Sequence, residues 1–394
     1  MRDEKSDQPA TVESRDTRIE PDSANQHTDQ RSHHPLSSPR SEFDFIQHIR
    51  QRTLHQGRRA QNSSSLIPHP SSLKHPSSLS LSIGDDAAII QQQSGRETVV
   101  TTDLLIEEID FRLNSTTPWL LGYKALAVSL SDIAAMGARP RYALLSIGIP
   151  RQIWDTAFVD QLYEGFFALA ETYRVTLIGG DVSRTPERIV IDSIVIGEAA
   201  RGRSVRRSGA RPGDHIFVTG ALGGAAAGLR LLERGSRLQT KPSSSSRAQA
   251  IEQLILRQLR PAPRVPWGAL LGEEHLATAM IDISDGLSSD LTHLCRESNV
   301  GARIDAARIP IDPPVIDLCG RRALDPLLLA LHGGEDFELL FTIRPRDLKW
   351  LPQGLGGVPV TYLGDVTNDA GHINLAEGSR VSTLEPAGFM HFKR

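Results

Sequence analysis

Ile83 to Asp103 reads IGDDAAII, then a polar gap, QQQSGRE, then TVVTTD. Asp85 and Asp86 stand side by side after Gly84, and no Lys or Arg lies between Ser82 and Ser94 to neutralise them. Ala87 to Ile90 is a short apolar run and Thr98 to Thr102 a β-branched one, so both predict buried strands. Each strand then carries carboxylates at one end, where open α/β folds hold their ligands. Two such charges ~4 Å apart repel by roughly 4 kcal/mol at an effective dielectric of ~20. A hard divalent cation with oxygen ligands relieves that repulsion. For this doublet alone, an Asx-type turn with solvated aspartates is an equal reading to a metal site.

The pattern recurs along the chain. Trp119 to Met136 predicts a long helix with Asp132 near its end, in SLSDIAAMGARP, where Gly137 and Pro140 stop it. Val175 to Ile178 predicts a strand running into Gly179, Gly180 and Asp181. The second half carries MIDISDGL, with Asp282 and Asp285 on either side of Ser284, and HGGEDFELL, with Glu335, Asp336 and Glu338 after two glycines. Strands at Tyr142–Ile149, Ile189–Ile196, His215–Thr219 and Phe337–Thr342 alternate with helices such as Phe158–Tyr173. That alternation predicts α/β architecture. Carboxylates beside Gly, Ser or Thr at so many element ends suggest a Mg²⁺-dependent cleft for a polyphosphate.

Composition narrows the classes. The 394 residues suffice for two domains, and a net charge of -3 leaves no electrostatic footprint for nucleic acid. Two cysteines, Cys295 and Cys319, make neither a disulfide framework nor a metal clip. The polar start MRDEKSDQPA lacks the apolar region of a signal peptide, and no apolar run is long enough to span a membrane, so the expected home is the cytoplasm. Residues 1–41 are too polar to order themselves. Their histidines belong to a set of seven before residue 80, irregularly spaced among Ser and Pro, which reads as tail rather than metal site. Residues 42–82 are read as a docking helix, with Phe43, Ile46 and Ile49 on one face, followed by a low-complexity linker. Residues 83–205 form the expected N-terminal domain and 206–394 the C-terminal one, with a low-complexity loop at 236–248.

There is no G-x-x-x-x-G-K-[ST], no H-R-D with D-F-G, no H-E-x-x-H and no G-x-S-x-G. Instead IGDDAA, TTD, YKALAVSLSDIAAMGA, LIGGD, RSGARPGD, VTG, RPAPR, IDISDGLSSDL, GARID and GGEDFELLF follow one another in order. Together they resemble the thiamine-monophosphate kinase family, of the aminoimidazole-ribonucleotide-synthetase-like superfamily. The resemblance covers roughly residues 42 to 394. It implies two α/β domains, each a mixed sheet covered by helices. It also implies a homodimer whose N-terminal domain binds ATP and pairs its sheet across the dimer.

By the same resemblance, Asp86, Thr101, Thr102, Asp103, Asp132, Asp181, Asp282 and Asp285 would be Mg²⁺ ligands. Tyr173, Gly180, Asp181, Arg207 and Ser284 would meet ATP, and Asp110, Glu335 and Phe389 the substrate. Asp110 is a departure, because the family commonly has a histidine there. The implied activity is ATP-dependent phosphorylation of thiamine monophosphate to thiamine diphosphate. A phosphate monoester is largely ionised at neutral pH, so no general base is expected. The rival readings are another ATP-using enzyme of the superfamily and a non-catalytic nucleotide-binding protein.

Overall fold

The structure is a computed structural model, and it describes residues 45–53, 79–81, 89–239, 245–319 and 325–389. The Asp85–Asp86 doublet, the tail at 1–41 and most of the linker lie outside the described residues. A first helix, α1, covers residues 45–53. Its buried stripe is Phe45, Ile49 and Thr53, not the predicted Phe43, Ile46 and Ile49, and Phe43 lies outside the described residues. Four-residue spacing puts those three side chains on one face. Phe45 meets the rings of Trp154 and Tyr163 edge-on, at centroid distances of 5.6 and 5.0 Å.

After a two-stranded ribbon of β1 (Leu79–Leu81) and β2 (Ile89–Ile90), the first domain builds one four-stranded sheet. Its elements are β3 (Arg96–Ile106), α2 (Pro118–Ala135), β4 (Arg139–Pro150), α3 (Arg151–Trp154), α4 (Phe158–Tyr173), β5 (Thr176–Thr185) and β6 (Val190–Ala200). The strand order is β3-β6-β4-β5. β4 and β5 pair in parallel, joined through α4, and the other pairs are antiparallel. The strands are longer than their apolar runs predict. β6 pairs with β3 from Arg96 to Ile106, so Asp103 sits inside a strand instead of at its end. Asp181 is likewise inside β5, paired with Ser146. Cross-strand hydrogen bonding extends a strand through polar residues that side-chain pattern alone would stop at.

The second domain holds β7 (His215–Thr219), α5 (Gly224–Glu233), α6 (Ser246–Leu259), α7 (Val265–Glu273), β8 (Ala277–Asp282), α8 (Leu287–Ser298), β9 (Gly301–Asp305), α9 (Pro313–Cys319), α10 (Pro326–His332), β10 (Leu339–Ile343), β11 (Gly354–Leu355), β12 (Val358–Thr367), β13 (Ile373–Glu377) and β14 (Arg380–Thr383). Its sheet runs β14-β13-β9-β12-β7-β10-β8, with β11 on β12, and only β9–β13 is parallel. The change of sheet falls between Ala200 and His215.

α2 lies between the two sheets, touching β3, β4 and β6 on one side and β8 on the other. A helix covered on all sides must be largely apolar, and α2 is: Leu121, Leu126, Leu130 and Ile133 are at most 1% exposed. Each such side chain contributes about 1.5–3 kcal/mol by burial. Thr117 caps its first turn by accepting from Leu120 N at 3.2 Å, and Pro118 begins it. Its crossing with α4 needs glycine on both helices. A Cβ on Gly122 would lie 1.8 Å from Leu162 O, and one on Gly165 1.8 Å from Trp119 O. The first core continues through α2 into Met280 and Phe341 of the second sheet, so the domains share apolar contacts.

Candidate active site

Three carboxylates from three elements converge beside α2. Asp103 comes from β3, Asp132 from the C-terminal end of α2 and Asp282 from the end of β8. Thr101, two residues before Asp103 and on the same strand face, donates its hydroxyl to Asp132 Oδ2. Ser131 Oγ donates to Asp282 Oδ2 at 2.7 Å and ties α2 to the second domain. Burial, and then the charge of Asp132, push the Asp103 carboxyl up to about 6. The same two causes push Asp282 up to about 7, and burial also raises Asp132. Arg207, on the exposed loop before β7, is near enough to pull Asp132 and Asp282 the other way. Asp103 Oδ2 is buried without a hydrogen-bond partner, as is Ser193 Oγ on the residue paired with it across β6. Among the described residues no three His, Cys, Asp or Glu side chains already stand close enough to hold a metal ion. The orphaned oxygen and the hard-oxygen donor set nevertheless fit a divalent cation.

The ISDG loop adjoins this cluster. Asp290 of α8 accepts from Asp285 N at 3.1 Å and Gly286 N at 3.0 Å. Burial, and then the neighbouring Asp282, push Asp290 up to about 8. The loop is stitched to two further predicted site residues by backbone: Glu335 N donates to Ser284 O at 2.8 Å, and Phe389 N to Asp285 O at 3.2 Å. Glu335 has a positive φ of 63°, and its carboxylate meets Lys124 Nζ at 2.8 Å and the amide of Gln258.

The other predicted residues stand elsewhere. Thr102 points to the opposite sheet face from Thr101 and Asp103, because side chains alternate along a strand, and donates to Asp192 Oδ1 at 2.5 Å. The register Leu104–Asp192–Ser146–Asp181 crosses the whole sheet on that outer face. The inner row Asp103–Ser193–Leu145–Gly180 crosses beneath it, so Gly180 is three strand spacings, roughly 14 Å, from Asp103. Gly180 has φ 149°, and a Cβ there would lie 2.0 Å from Leu145 O. Tyr173 ends α4 and donates to Pro263 O at 2.9 Å, and burial pushes its hydroxyl up to about 12. Asp110 is turned back on its own loop, where its Oδ2 accepts from Ile106 N at 2.8 Å. Asp86 lies outside the described residues.

Sequence reasoning passed over Asp290, Lys124, Gln258 and Asp192. Asp290 and Lys124 lie inside the quoted motifs IDISDGLSSDL and YKALAVSLSDIAAMGA. A lone cation in the apolar run LLGYKALAV was a usable signal. Gln258 and Asp192 gave none, because only the folded chain places them.

Comparison with known proteins adds the following. The family models for AIR synthase related protein match as an N-terminal domain over residues 84–199 and a C-terminal domain over 211–374. The thiamine-monophosphate kinase of Bacillus subtilis is 36% identical over 357 residues, covering 89% of this chain and 99% of that protein. The crystal structure of thiamine-monophosphate kinase from Stenotrophomonas maltophilia K279a superposes with a TM-score of 0.70 at 37% identity, covering 85% and 96%. A structure of AaThiL complexed with AMPPCP and TMP superposes with a TM-score of 0.65 at 31% identity, covering 90% and 100%.

Proposed function

Because this chain belongs to the thiamine-monophosphate kinase family of AIR synthase related proteins, we propose that it phosphorylates thiamine monophosphate from ATP, giving thiamine diphosphate and ADP. The observation that carries this reading is the convergence of Asp103, Asp132 and Asp282, drawn from both domains, with an unpartnered buried carboxylate oxygen among them. The relative that binds AMPPCP and TMP has the same fold, which supports a nucleotide and a phosphate ester meeting here.

In this reading Asp103, Asp132, Asp282 and Asp285 hold Mg²⁺, with Asp86 as a further ligand, while Asp181 stands on the opposite sheet face, away from this cluster. Bound Mg²⁺ would offset the negative charge of the phosphate chain and of the group in transfer. The chain's own residues prepare the cleft. Ser131 and Thr101 fix the rotamers of Asp282 and Asp132, and Asp290 fixes the backbone of Asp285. Arg207 adds positive charge at the open side, with Ser284, Gly180 and Tyr173 toward ATP, and Glu335, Asp110 and Phe389 toward the acceptor. The acceptor phosphate is largely ionised at neutral pH, so direct in-line transfer needs no residue to remove a proton.

A homodimer is part of the same proposal. Val100 and Leu104 of β3 are 61% and 54% exposed, and Ile194, Ile196 and Leu144 flank them half-buried on the same outer face. An apolar sheet face of this kind fits burial against a second copy. Thr102, Asp192 and Asp181 on that face would then lie at the interface. We take residues 83–205 and 206–394 as the two domains, and the cytoplasm as the setting.

The test is product analysis with purified chain, ATP, Mg²⁺ and candidate acceptors. Thiamine diphosphate and ADP should form in equal amounts. ADP formed with aminoimidazole precursors, and not with thiamine monophosphate, would sink the assignment.

A further inference from the structure

A buried cation in a helix between two sheets needs a reason. Lys124 is 3% exposed and sits in α2 among Leu121, Ala125, Leu126 and Val128. An apolar side chain there would extend the core, whereas a charge is expelled from such a place unless it is paired. Its partner is Glu335 Oε1, at 2.8 Å. The second oxygen, Oε2, takes the amide of Gln258 from α6. Gln258 is itself 4% exposed, and its Oε1 is buried with no hydrogen-bond partner.

These contacts do not merely fasten α6 to the second sheet. One residue away, Arg257 already does that, reaching Ala221 O at 2.7 Å and Glu338 Oε1 at 3.3 Å. What Lys124 and Gln258 fix is the carboxylate of Glu335, whose side chain keeps 30% of its exposure and so can be reached from outside. Its backbone is held at φ 63°, a region costly for any residue but glycine, by the bond from Glu335 N to Ser284 O. The carboxylate is thus held by two partners and its backbone by a third. One rigid helix also carries both Lys124 and Asp132, eight residues and about 12 Å apart along the axis.

We propose that Lys124 is a positioning residue that sets the Glu335 carboxylate for the phosphate acceptor, with Gln258 as the second anchor. The inference rests on the kinase reading above, in which Glu335 meets the acceptor. Lys124 acts through Glu335 and touches no reacting atom.

Steady-state kinetics on full-length Lys124→Met, Lys124→Arg and Gln258→Leu test it, with melting curves for Lys124→Met, Glu335→Gln and the double variant. Lys124→Met should raise the KM for thiamine monophosphate about 10-fold or more and leave the KM for ATP within about twofold. Lys124→Arg should recover part of the loss, and Gln258→Leu should repeat the acceptor-only pattern more weakly. The melting shifts of Lys124→Met and Glu335→Gln should be non-additive. Equal changes in both KM values would overturn the inference in favour of a structural lysine, and so would a fall in kcat alone. If wild-type chain makes no thiamine diphosphate, the kinase reading fails by itself. The pairing is then judged by the melting cycle, where additive shifts overturn it.

Discussion

Among the described residues, two groups of carboxylates shielded from water are built in opposite ways. In the second domain Asp312, Asp336 and Glu338 surround Arg257 and Arg264. Glu338 accepts from Thr219 Oγ1 at 2.8 Å and from both arms of the Arg264 fork, one of them at 2.6 Å. Asp336 accepts from Gly223 N at 2.6 Å and Ala225 N at 3.0 Å, which caps α5. Burial still pushes Asp336 up to about 6, but Arg257 and the two N–H groups all pull against it. Around Asp103 and Asp282 the neighbouring carboxylates push the same way as burial, and among the described charged side chains it is the exposed Arg207 that pulls Asp132 and Asp282 the other way. The first group is closed by the protein's own donors. The second is left open, which is expected where a ligand brings the missing charge.

That contrast can be broken by experiment. The largest expected effect is on turnover. Asp282→Asn should lower kcat about 100- to 1000-fold, because it removes one stabiliser of developing charge. It should not lower the melting midpoint in EDTA, since it also removes a repelling neighbour. A variant with near-normal turnover would put Asp282 in the structural class. Glu338→Gln should show the reverse pattern. It leaves Arg264 and Arg257 short of a counter-charge and should cost about 3–5 kcal/mol of stability. Turnover per folded molecule should change little, so a selective loss of kcat without a melting shift would erase the distinction.

A third expectation concerns pH. Asp103, Asp282 and Asp290, pushed up to about 6, 7 and 8, bind protons more tightly in the folded chain than in the unfolded one. Stability without divalent cation should therefore be full below the unfolded carboxylate pKa of about 4 and fall as pH rises toward about 8. Melting midpoints in EDTA should drop by roughly 5 °C or more between pH 5 and pH 8. Added Mg²⁺ should flatten the slope, because the site then gains by losing its protons. A midpoint that climbs with pH in EDTA would contradict the open character of the cluster. The smallest effect is expected at Asp110, outside both groups. Asp110→His loses the acceptor for Ile106 N and should cost about 1 kcal/mol, and under the proposed contact with the acceptor it should shift the KM for thiamine monophosphate more than that for ATP.

Much of this was legible beforehand. Phe158–Tyr173 and His215–Thr219 form with the predicted bounds, because each is a clean periodic run between breakers. Asp103, Asp132 and Asp282 were named from short acidic motifs at strand and helix ends. The strand ends were misjudged at Asp103 and Asp181, since β6 and β4 supply partners that no local pattern reports. The division of Thr101 from Thr102 needed only the period of a strand, yet it becomes meaningful once Asp132 on one face and Asp192 on the other are known.

The sequence by itself determined the family, the two-domain α/β plan and the acidic residue types. Those are carried by local composition and by the order of motifs, which folding does not alter. Only the tertiary structure decided which acids are satisfied and which are not. Asp336 and Glu338 stand in the same motif as Glu335, and nothing local separates them. What separates them is whether Arg257, Arg264 or Lys124 arrives from an element elsewhere in the chain. The state of a buried charge is set by the groups around it in space and by the water it has lost, and neither is written in its sequence neighbours.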